Sequence, residues 1–260
     1  MRVSIITVCY NSEATIEKTI KSVLSQTFQN IEYIIVDGGS KDSTLDIVSK
    51  YQDNIAKVIS EPDKGIYDAM NKGIKAATGN IIGILNSDDY YVGDDIASII
   101  VKAFKQNAPD MVFADLAYVV TGSENKLLRY YSAKKFTPKK LKYGIMPPHP
   151  TLYVKREVYE KHGNYRLDFK IASDYEMFVR LLLVKELSYY YINKCMVKMT
   201  IGGVSTSNFE SKKIINTETI KALSVNGINV SYLSILRKYP TKIFGIIKGC
   251  LMNLFQVGIK

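Results

Sequence analysis

The stretch Asn80-Ile-Ile-Gly-Ile-Leu-Asn-Ser-Asp-Asp-Tyr90 runs a mostly apolar segment straight into two adjacent carboxylates, Asp88 and Asp89. Like charges side by side repel. A buried strand that ends on such a pair either stops in a solvated turn or meets a cation, and the pair alone does not decide between them. Its surroundings do more. Residues 2–9 (RVSIITVC) form a β-branched, nearly continuous apolar run, which suits a strand covered on both faces. "IEYIIVDGGS" (31–40) reads as a second buried strand that stops at a Gly pair, and "AKVIS" (56–60) as a short third.

Helical patterns fill the gaps. "NSEATIEKTIKSVLSQTF" (11–28) places Ile16, Ile20, Val23, Leu24 and Phe28 at helical spacing, with Asn11 or Ser12 as cap. Ser43-Thr-Leu-Asp46 fits a capping box opening a helix toward Tyr51. "GIYDAMNKGIKAATG" (65–79) puts Ile66, Met70, Ile74 and Ala77 on one face, with Gly79 as the stop. A helix within 94–107 and a strand at 111–117 follow. Strands alternating with helices of about 10–15 residues predict an α/β fold with a mostly parallel sheet and helices on both faces. Residues 119–150 read as irregular, basic and Tyr-rich, ending in the rigid "MPPHP"; "TLYVKREVYEKHG" and "SDYEMFVRLLLV" read as further helical or strand-helix units, and "ELSYYYINKCMVKMTIGG" as β-prone.

Ligands of open parallel sheets bind beyond the carboxyl ends of the strands. Asp37 and the Asp88-Asp89 pair both follow buried strands and are expected on that same edge. Two such acids suit a sugar-nucleotide. One accepts hydrogen bonds from base or ribose, and the other holds a divalent cation on the diphosphate, where protein carboxylates and phosphate oxygens together ligate Mg²⁺ or Mn²⁺.

Three stretches carry a resemblance: "SIITVCYNSEATIEKTIKSVLSQTFQNIEYIIVDGGSKDST", "SEPDKGIYDAMNKGIKAATGNIIGILNSDD" and "IASDYEMFVRL". In order and separation over residues 2–205 they resemble the family 2 glycosyltransferases, inverting enzymes of the GT-A fold. The resemblance implies that Thr7, Tyr10 and Asn11 line the nucleotide edge and that Asp37 binds base or ribose. Asp88 leans toward the ribose and Asp89 ligates the metal, although Ser-Asp-Asp lacks the spacer of the common Asp-x-Asp form. Asp174 matches the catalytic base at a helix start, with Ser173 where family members often carry an acid. A carboxylate there is favoured by the helix dipole and can accept an acceptor hydroxyl's proton; it can equally serve as a helix cap. Lys64 in "EPDKG" reaches a phosphate or is a surface lysine. His149, between prolines, lines the acceptor side, touches the metal, or is structural. His162 reads as a helix-end residue. Gly202 and Gly203 in "IGGVSTS" form a lid or an ordinary turn.

Bulk properties agree. With 260 residues and 47% apolar content, the chain builds a large core without staples. Cys9, Cys195 and Cys250 have no metal or disulfide spacing, which points to a reduced, cytosolic setting. The amino terminus lacks signal-peptide features, and no 18-residue apolar run predicts a spanning helix. The net charge of +10 is uneven. Residues 125–156 hold nine basic side chains and no acid, residues 211–260 hold eight and only Glu218, and the remainder is net −6. Such segregation points to a localised anionic partner. Pro240 should divide the tail into two helical pieces. From Lys242 onward Ile243, Ile246, Ile247, Leu251, Leu254 and Phe255 are amphipathic, which suits an anionic membrane surface, the protein's own domain or a second subunit.

The expected organisation is a transferase domain over 1–210, with a nucleotide-binding half 1–118 and an acceptor-binding half 119–210, followed by a basic helical extension 211–260. The expected reaction moves sugar from a nucleotide donor, UDP-linked by preference, to a glycan or lipid-linked acceptor of a bacterial surface polysaccharide, at the inner face of the membrane. A sugar-nucleotide pyrophosphorylase lacks support because no glycine-rich loop follows the first strand, and a dehydrogenase because no G-x-G-x-x-G occurs. A non-catalytic sugar-nucleotide-binding protein would tolerate loss of the acids, yet all are present. No nucleic-acid-binding motif appears.

Overall fold

The computed structural model describes residues 1–120, 122–200 and 209–254, with the side chains of 123–125, 209, 210 and 212 left aside. The Gly202-Gly203 segment and Phe255 lie outside the described residues. Among the described residues the chain builds a nine-stranded sheet. Strand β1 (Val3–Cys9), buried along its whole length, pairs in parallel with β2 (Ile31–Asp37) and β4 (Ile81–Ile84), and β3 (Lys57–Ser60) flanks β2. The β1–β2 register sets Cys9 opposite Asp37, so Asp37 stands at the carboxyl edge.

Alternation along β1 and β2 feeds two cores. Val3, Ile5, Tyr33 and Ile35 pack with α1 (Ile16–Leu24) and α4 (Ile96–Asn107) on one face. Ile6, Val8, Ile34 and Val36 pack on the other face with α3 (Ile66–Ala76) and, further on, α5 (Arg156–His162) and α6 (Ser173–Phe178). Two expected caps form differently. The α1 cap residue is Thr15, while Asn11 is drawn into a neighbouring loop. At α2 (Thr44–Ser49), Ser43 makes no side-chain cap; Asp42 accepts the Thr44 N–H at 3.0 Å instead. Helix α3 stops at Ala77, two residues before Gly79.

The parallel pattern of the first half changes beyond β4. Strand β8 (Tyr153–Lys155) lies antiparallel between β4 and β6 (Met111–Val120), and β9 (Tyr189–Thr200) runs parallel to β6. Strand β5 (Asp89–Tyr91) is antiparallel to β9. The reason is connectivity: a parallel neighbour needs a crossover, usually a helix, whereas β8 is entered from a short 3-10 turn at His149–Thr151. Residues 119–150, expected to be irregular, contain β7 (Ser123–Tyr131), which pairs antiparallel with β6 through bulged registers. Its polar start, Ser-Glu-Asn-Lys, hides a strand whose partner face is supplied from the far end of the chain.

That partner is α9 (Lys238–Leu254). Pro240 sits in its first turn, where a missing N–H costs no helical bond, so the break falls upstream, between α8 (Tyr232–Ile235) and Lys238. A Cβ on Gly249 would come within 3.1 Å of the Arg129 backbone, so glycine permits close contact between helix and strand. The Asn253 amide brackets Leu127, donating to its carbonyl at 2.7 Å and accepting its N–H at 2.9 Å. Helix α7 (Phe209–Val225) adds Ala222 and Leu223 to the core that holds α6, so residues beyond 210 pack on the main body from their first helix. Among the described residues no helix is long and apolar enough to cross a membrane.

Gly83 makes room for the antiparallel insertion. It pairs with Tyr153, and a Cβ there would lie 2.1 Å from the Tyr153 ring, whose hydroxyl is hydrogen-bonded to Tyr91. Gly83→Ala is expected to lower stability by roughly 2–3 kcal/mol through overpacking, read as a lower urea midpoint. Adding Tyr153→Leu should recover part of the loss.

Candidate active site

The carboxyl edge of β1, β2 and β4 is knit by short polar side chains. Asp37, fully buried, accepts the Gly39 and Ser40 N–H groups at 3.0 and 3.1 Å and the Ser60 hydroxyl at 2.8 Å. Ser40 Oγ donates to Asp37 and accepts the Asn11 N–H at 2.8 Å. Asn11, held at φ 48°, accepts the Lys41 N–H through Oδ1 at 2.9 Å. A carboxylate has about four acceptor sites, so Asp37 is nearly saturated by its own loop and shapes the turn. Tyr10 is 62% exposed and packs on Gly38 beside the Asp63 carboxylate. Thr7 does not reach this edge. The two-residue period sends it inward with Ile5 and Cys9, and its hydroxyl accepts from Tyr33 at 3.1 Å. Lys64 is exposed; its N–H donates to Asp68 at 3.0 Å, and no bond of its ammonium links it to the acids.

The edge continues into the acidic pair. Ser12 Oγ and Ser87 Oγ share a hydrogen bond of 2.8 Å, and Thr19 donates to the carbonyls of Ser87 and Asp89 at 3.0 and 2.7 Å. Asp89 is wholly buried. One carboxylate oxygen receives only a 3.4 Å contact from the Asn86 amide; the other bonds nothing, and neither does Asn86 Oδ1. Burial pushes the Asp89 carboxyl well above the usual range, and the Asp88 charge pushes it further. Burial also raises Asp88. Two adjacent buried oxygens without donors, beside a second carboxylate, are a fit for a hard divalent cation. Among the described residues no cluster of three acidic, His or Cys side chains forms, so remaining ligands would be phosphate or water oxygens.

Asp174 lies in the first turn of α6, two residues past the cap position, which Ala172 occupies. Its Oδ1 accepts the Tyr175 N–H at 2.8 Å and the Tyr67 hydroxyl at 3.2 Å. Burial raises its carboxyl above the ordinary range, while nearby His149, the Tyr175 N–H and the Tyr67 hydroxyl pull it back. His149 is buried, and its Nε2 is 2.7 Å from the Tyr165 hydroxyl. Burial lowers its imidazole, favouring the neutral ring. His149 thus sits on the Tyr165 side, where its ring and the Asp174 charge act on each other.

On β6, burial raises the Tyr118 hydroxyl; the Arg129 charge opposes the rise, and the charges of Asp89 and Asp174 add to it. The sequence does not flag it. Tyr67 likewise reads as one more residue of an amphipathic helix. Asn86 stands inside the acidic stretch, yet an Asn before a turn is ordinary. Glu218 is legible only as the lone acid of a basic tail, and it accepts the N–H groups of Lys170, Ile171 and Ala172 at 2.7, 2.8 and 2.9 Å, fixing the entry to α6. A surface hollow of about 590 Å³, bounded by Asn71, Lys72, Arg156 and Tyr159, lies between α3 and α5 and contains none of these acids.

Residues 4–163 match the family described as Glycosyl transferase family 2. The Escherichia coli UDP-Glc:alpha-D-GlcNAc-diphosphoundecaprenol beta-1,3-glucosyltransferase WfaP is 28% identical over 260 residues, spanning 95% of this chain and 95% of its own. Among solved structures, S. aureus TarS 1–349 in complex with UDP-GlcNAc superposes with a TM-score of 0.66 at 20% identity, covering 84% of this chain and 66% of that one. The mannosyltransferase PcManGT from Pyrobaculum calidifontis, in complex with GDP-Man and Mn²⁺, gives 0.58 at 15% identity, covering 99% and 88%. At these identities the two structures speak to the fold.

The elevated Asp89 carboxyl has a thermodynamic sign. A group whose folded value is raised costs stability as pH climbs through that value, because the fold disfavours its ionised form. Asp89→Asn is therefore expected to raise the metal-free melting temperature at pH 8 by a few degrees and to abolish any Mn²⁺-induced stabilisation. Differential scanning fluorimetry with and without Mn²⁺ reads both.

Proposed function

This chain belongs to glycosyl transferase family 2, and we propose that it is an inverting enzyme that moves sugar from a UDP-linked donor to a hydroxyl of a glycan or lipid-linked acceptor in bacterial surface polysaccharide synthesis. The observation that carries the reading is the wholly buried Asp89 carboxylate with one oxygen that bonds nothing, beside Asp88 at a strand end, together with Asp174 oriented by the Tyr67 hydroxyl and the Tyr175 N–H at the start of α6.

In this reading Tyr10, Asn11 and the loop shaped by Asp37 hold the nucleoside, with Asp88 toward the ribose and Lys64 near enough along its loop to serve a phosphate. Residues 1–118 then serve the donor, 119–210 the acceptor, and 211–260 extend the acceptor side. Mn²⁺ or Mg²⁺ would be held by Asp89, with Asn86 beside it, and when bound would neutralise charge on the departing diphosphate. Asp174 accepts the acceptor hydroxyl's proton as that oxygen forms its bond to the anomeric carbon. The bond from that carbon to the diphosphate oxygen breaks, and its electron pair leaves with the nucleoside diphosphate. Attack from the opposite face inverts the anomeric centre. A carboxylate raised by burial is a stronger base than one in water, and the Tyr67 hydroxyl and Tyr175 N–H fix its orientation. His149, neutral and tied to Tyr165, shapes the acceptor side.

The printed activity of WfaP, a UDP-glucose donor and a diphosphoundecaprenol-linked acceptor, supports this substrate class. Membrane association is supported by α9, where Ile243, Phe244, Ile246, Ile247, Leu251 and Leu254 are all exposed. In this reading the protein works as a peripheral component at the cytoplasmic face of a bilayer, alone or as an oligomer.

Asp174→Asn is expected to lower sugar transfer by roughly 10²–10⁴-fold with UDP binding unchanged; unchanged transfer would remove the base from Asp174. The ascending limb of kcat/KM against pH should lie above the ordinary carboxylate range, since only the ionised form accepts a proton. Tyr67→Phe, which removes a hydrogen bond that favours ionisation, should move that limb to higher pH.

A further inference from the structure

Arg129, on β7, is a cation without a counter-ion. Its guanidinium carbon lies 4.6 Å from the Tyr131 ring centroid and 5.3 Å from that of Tyr118. Its Nε is buried and bonds nothing. Among the described residues no carboxylate pairs with it. Helix α9 covers the stem: a Cβ on Gly245 would lie 3.0 Å from Nε and 3.1 Å from Cγ. A stacked guanidinium held this way is pre-organised, and its fork matches phosphate oxygens in a way a lysine's point charge does not. An unpaired buried donor is costly, so the arrangement calls for an anion.

The position of Arg129 says which anion. On one side stand Tyr118 and Tyr131, and the Tyr131 hydroxyl donates to the Met146 carbonyl, three residues before the buried His149. Above it lies α9, whose outward face carries Ile243, Phe244, Ile247 and Leu251. Fixed at this point are also the two basic stretches that are far apart in sequence: β7 packs on α9, and Arg237 stacks over Tyr143 at 4.8 Å, beside Lys139, Lys140 and Lys142. The order along this part of the molecule is the exposed apolar face of α9, the guanidinium beneath that helix and the tyrosine pair, with Tyr131 tied to the segment that leads to His149. A lipid-linked sugar diphosphate has the same order: hydrocarbon, diphosphate, sugar hydroxyl.

We infer that Arg129 binds the diphosphate of a lipid-linked sugar acceptor, with the lipid along α9 and the sugar directed to Asp174. The inference rests on the reading of Asp174 as the acceptor's base, and it narrows the acceptor from a glycan in general to a lipid diphosphate. The donor also contains a diphosphate, so the test must separate the two sources.

Isothermal titration of the full chain with geranyl diphosphate probes the acceptor site, and UDP with Mn²⁺ probes the donor site. Arg129→Gln is expected to weaken geranyl diphosphate at least tenfold and to change UDP less than twofold, with Arg129→Lys in between because a point charge remains. Unchanged geranyl diphosphate binding in Arg129→Gln, or no binding to the wild-type chain, overturns the inference. A UDP loss that equals or exceeds the geranyl diphosphate loss also overturns it, by assigning Arg129 to the donor. If the Gln variant lacks a cooperative melting transition, the Lys variant is judged by the same criteria. Asp174→Asn should leave geranyl diphosphate binding intact. Arg129-dependent binding in a chain that transfers no sugar would sink the transferase reading while leaving a lipid-diphosphate site standing.

Discussion

Asp89 buries a carboxylate at zero exposure with one oxygen bonded to nothing, next to a second acid. Folding cannot favour that arrangement by itself, because desolvation and like charge both oppose the ionised form. It persists because the surrounding structure leaves it little choice. Thr19 grips the backbone on either side of Asp88, β9 pairs with β5 along Asp89–Tyr91, and Thr200 donates to the Asp88 carbonyl at 3.1 Å. Strain of this kind at the end of a well-packed strand is how a scaffold holds charge ready for a counter-charge that arrives later.

The two halves of the sheet serve this end differently. Parallel strands bring Asp37 and the acidic pair to one edge by register alone. The second half reverses direction through β8 and returns β9 to the neighbourhood of the first acids, so that Asp174 and Asp89 share Tyr118 as a common electrostatic neighbour. The aromatic wall of Tyr67 and Tyr165, stacked at 5.7 Å, keeps Asp174 dry enough to be basic.

Much of this was legible in the sequence, and its failures are physical. Periodicity located β1, β2, α1, α3 and α4, since each buries a face whose spacing is visible in a short window. The acids at strand ends were legible because charge after an apolar run is rare. Thr7 was misplaced because a motif match ignores parity, and parity points it into the core. Strand β7 was hidden because its apolar complement is a helix over 100 residues later. Asp37 was legible as a strand-end acid, but not its bonds to Gly39, Ser40 and Ser60, a fact of loop closure that spacing does not encode. Tyr118 and Tyr67 carry no local signal, because their role arises from what distant elements place beside them.

Glu218 draws a consequence about the order of synthesis. The three N–H groups that lead into α6 are held by a side chain that emerges from the ribosome more than forty residues after them. Strands β1–β4 can come together during translation, but Asp89 is set only when β9 arrives and Asp174 only once α7 has been made. A nascent chain of this protein therefore forms the parallel half of the sheet first and closes both acidic centres last, so that a half-built molecule holds neither in its final setting.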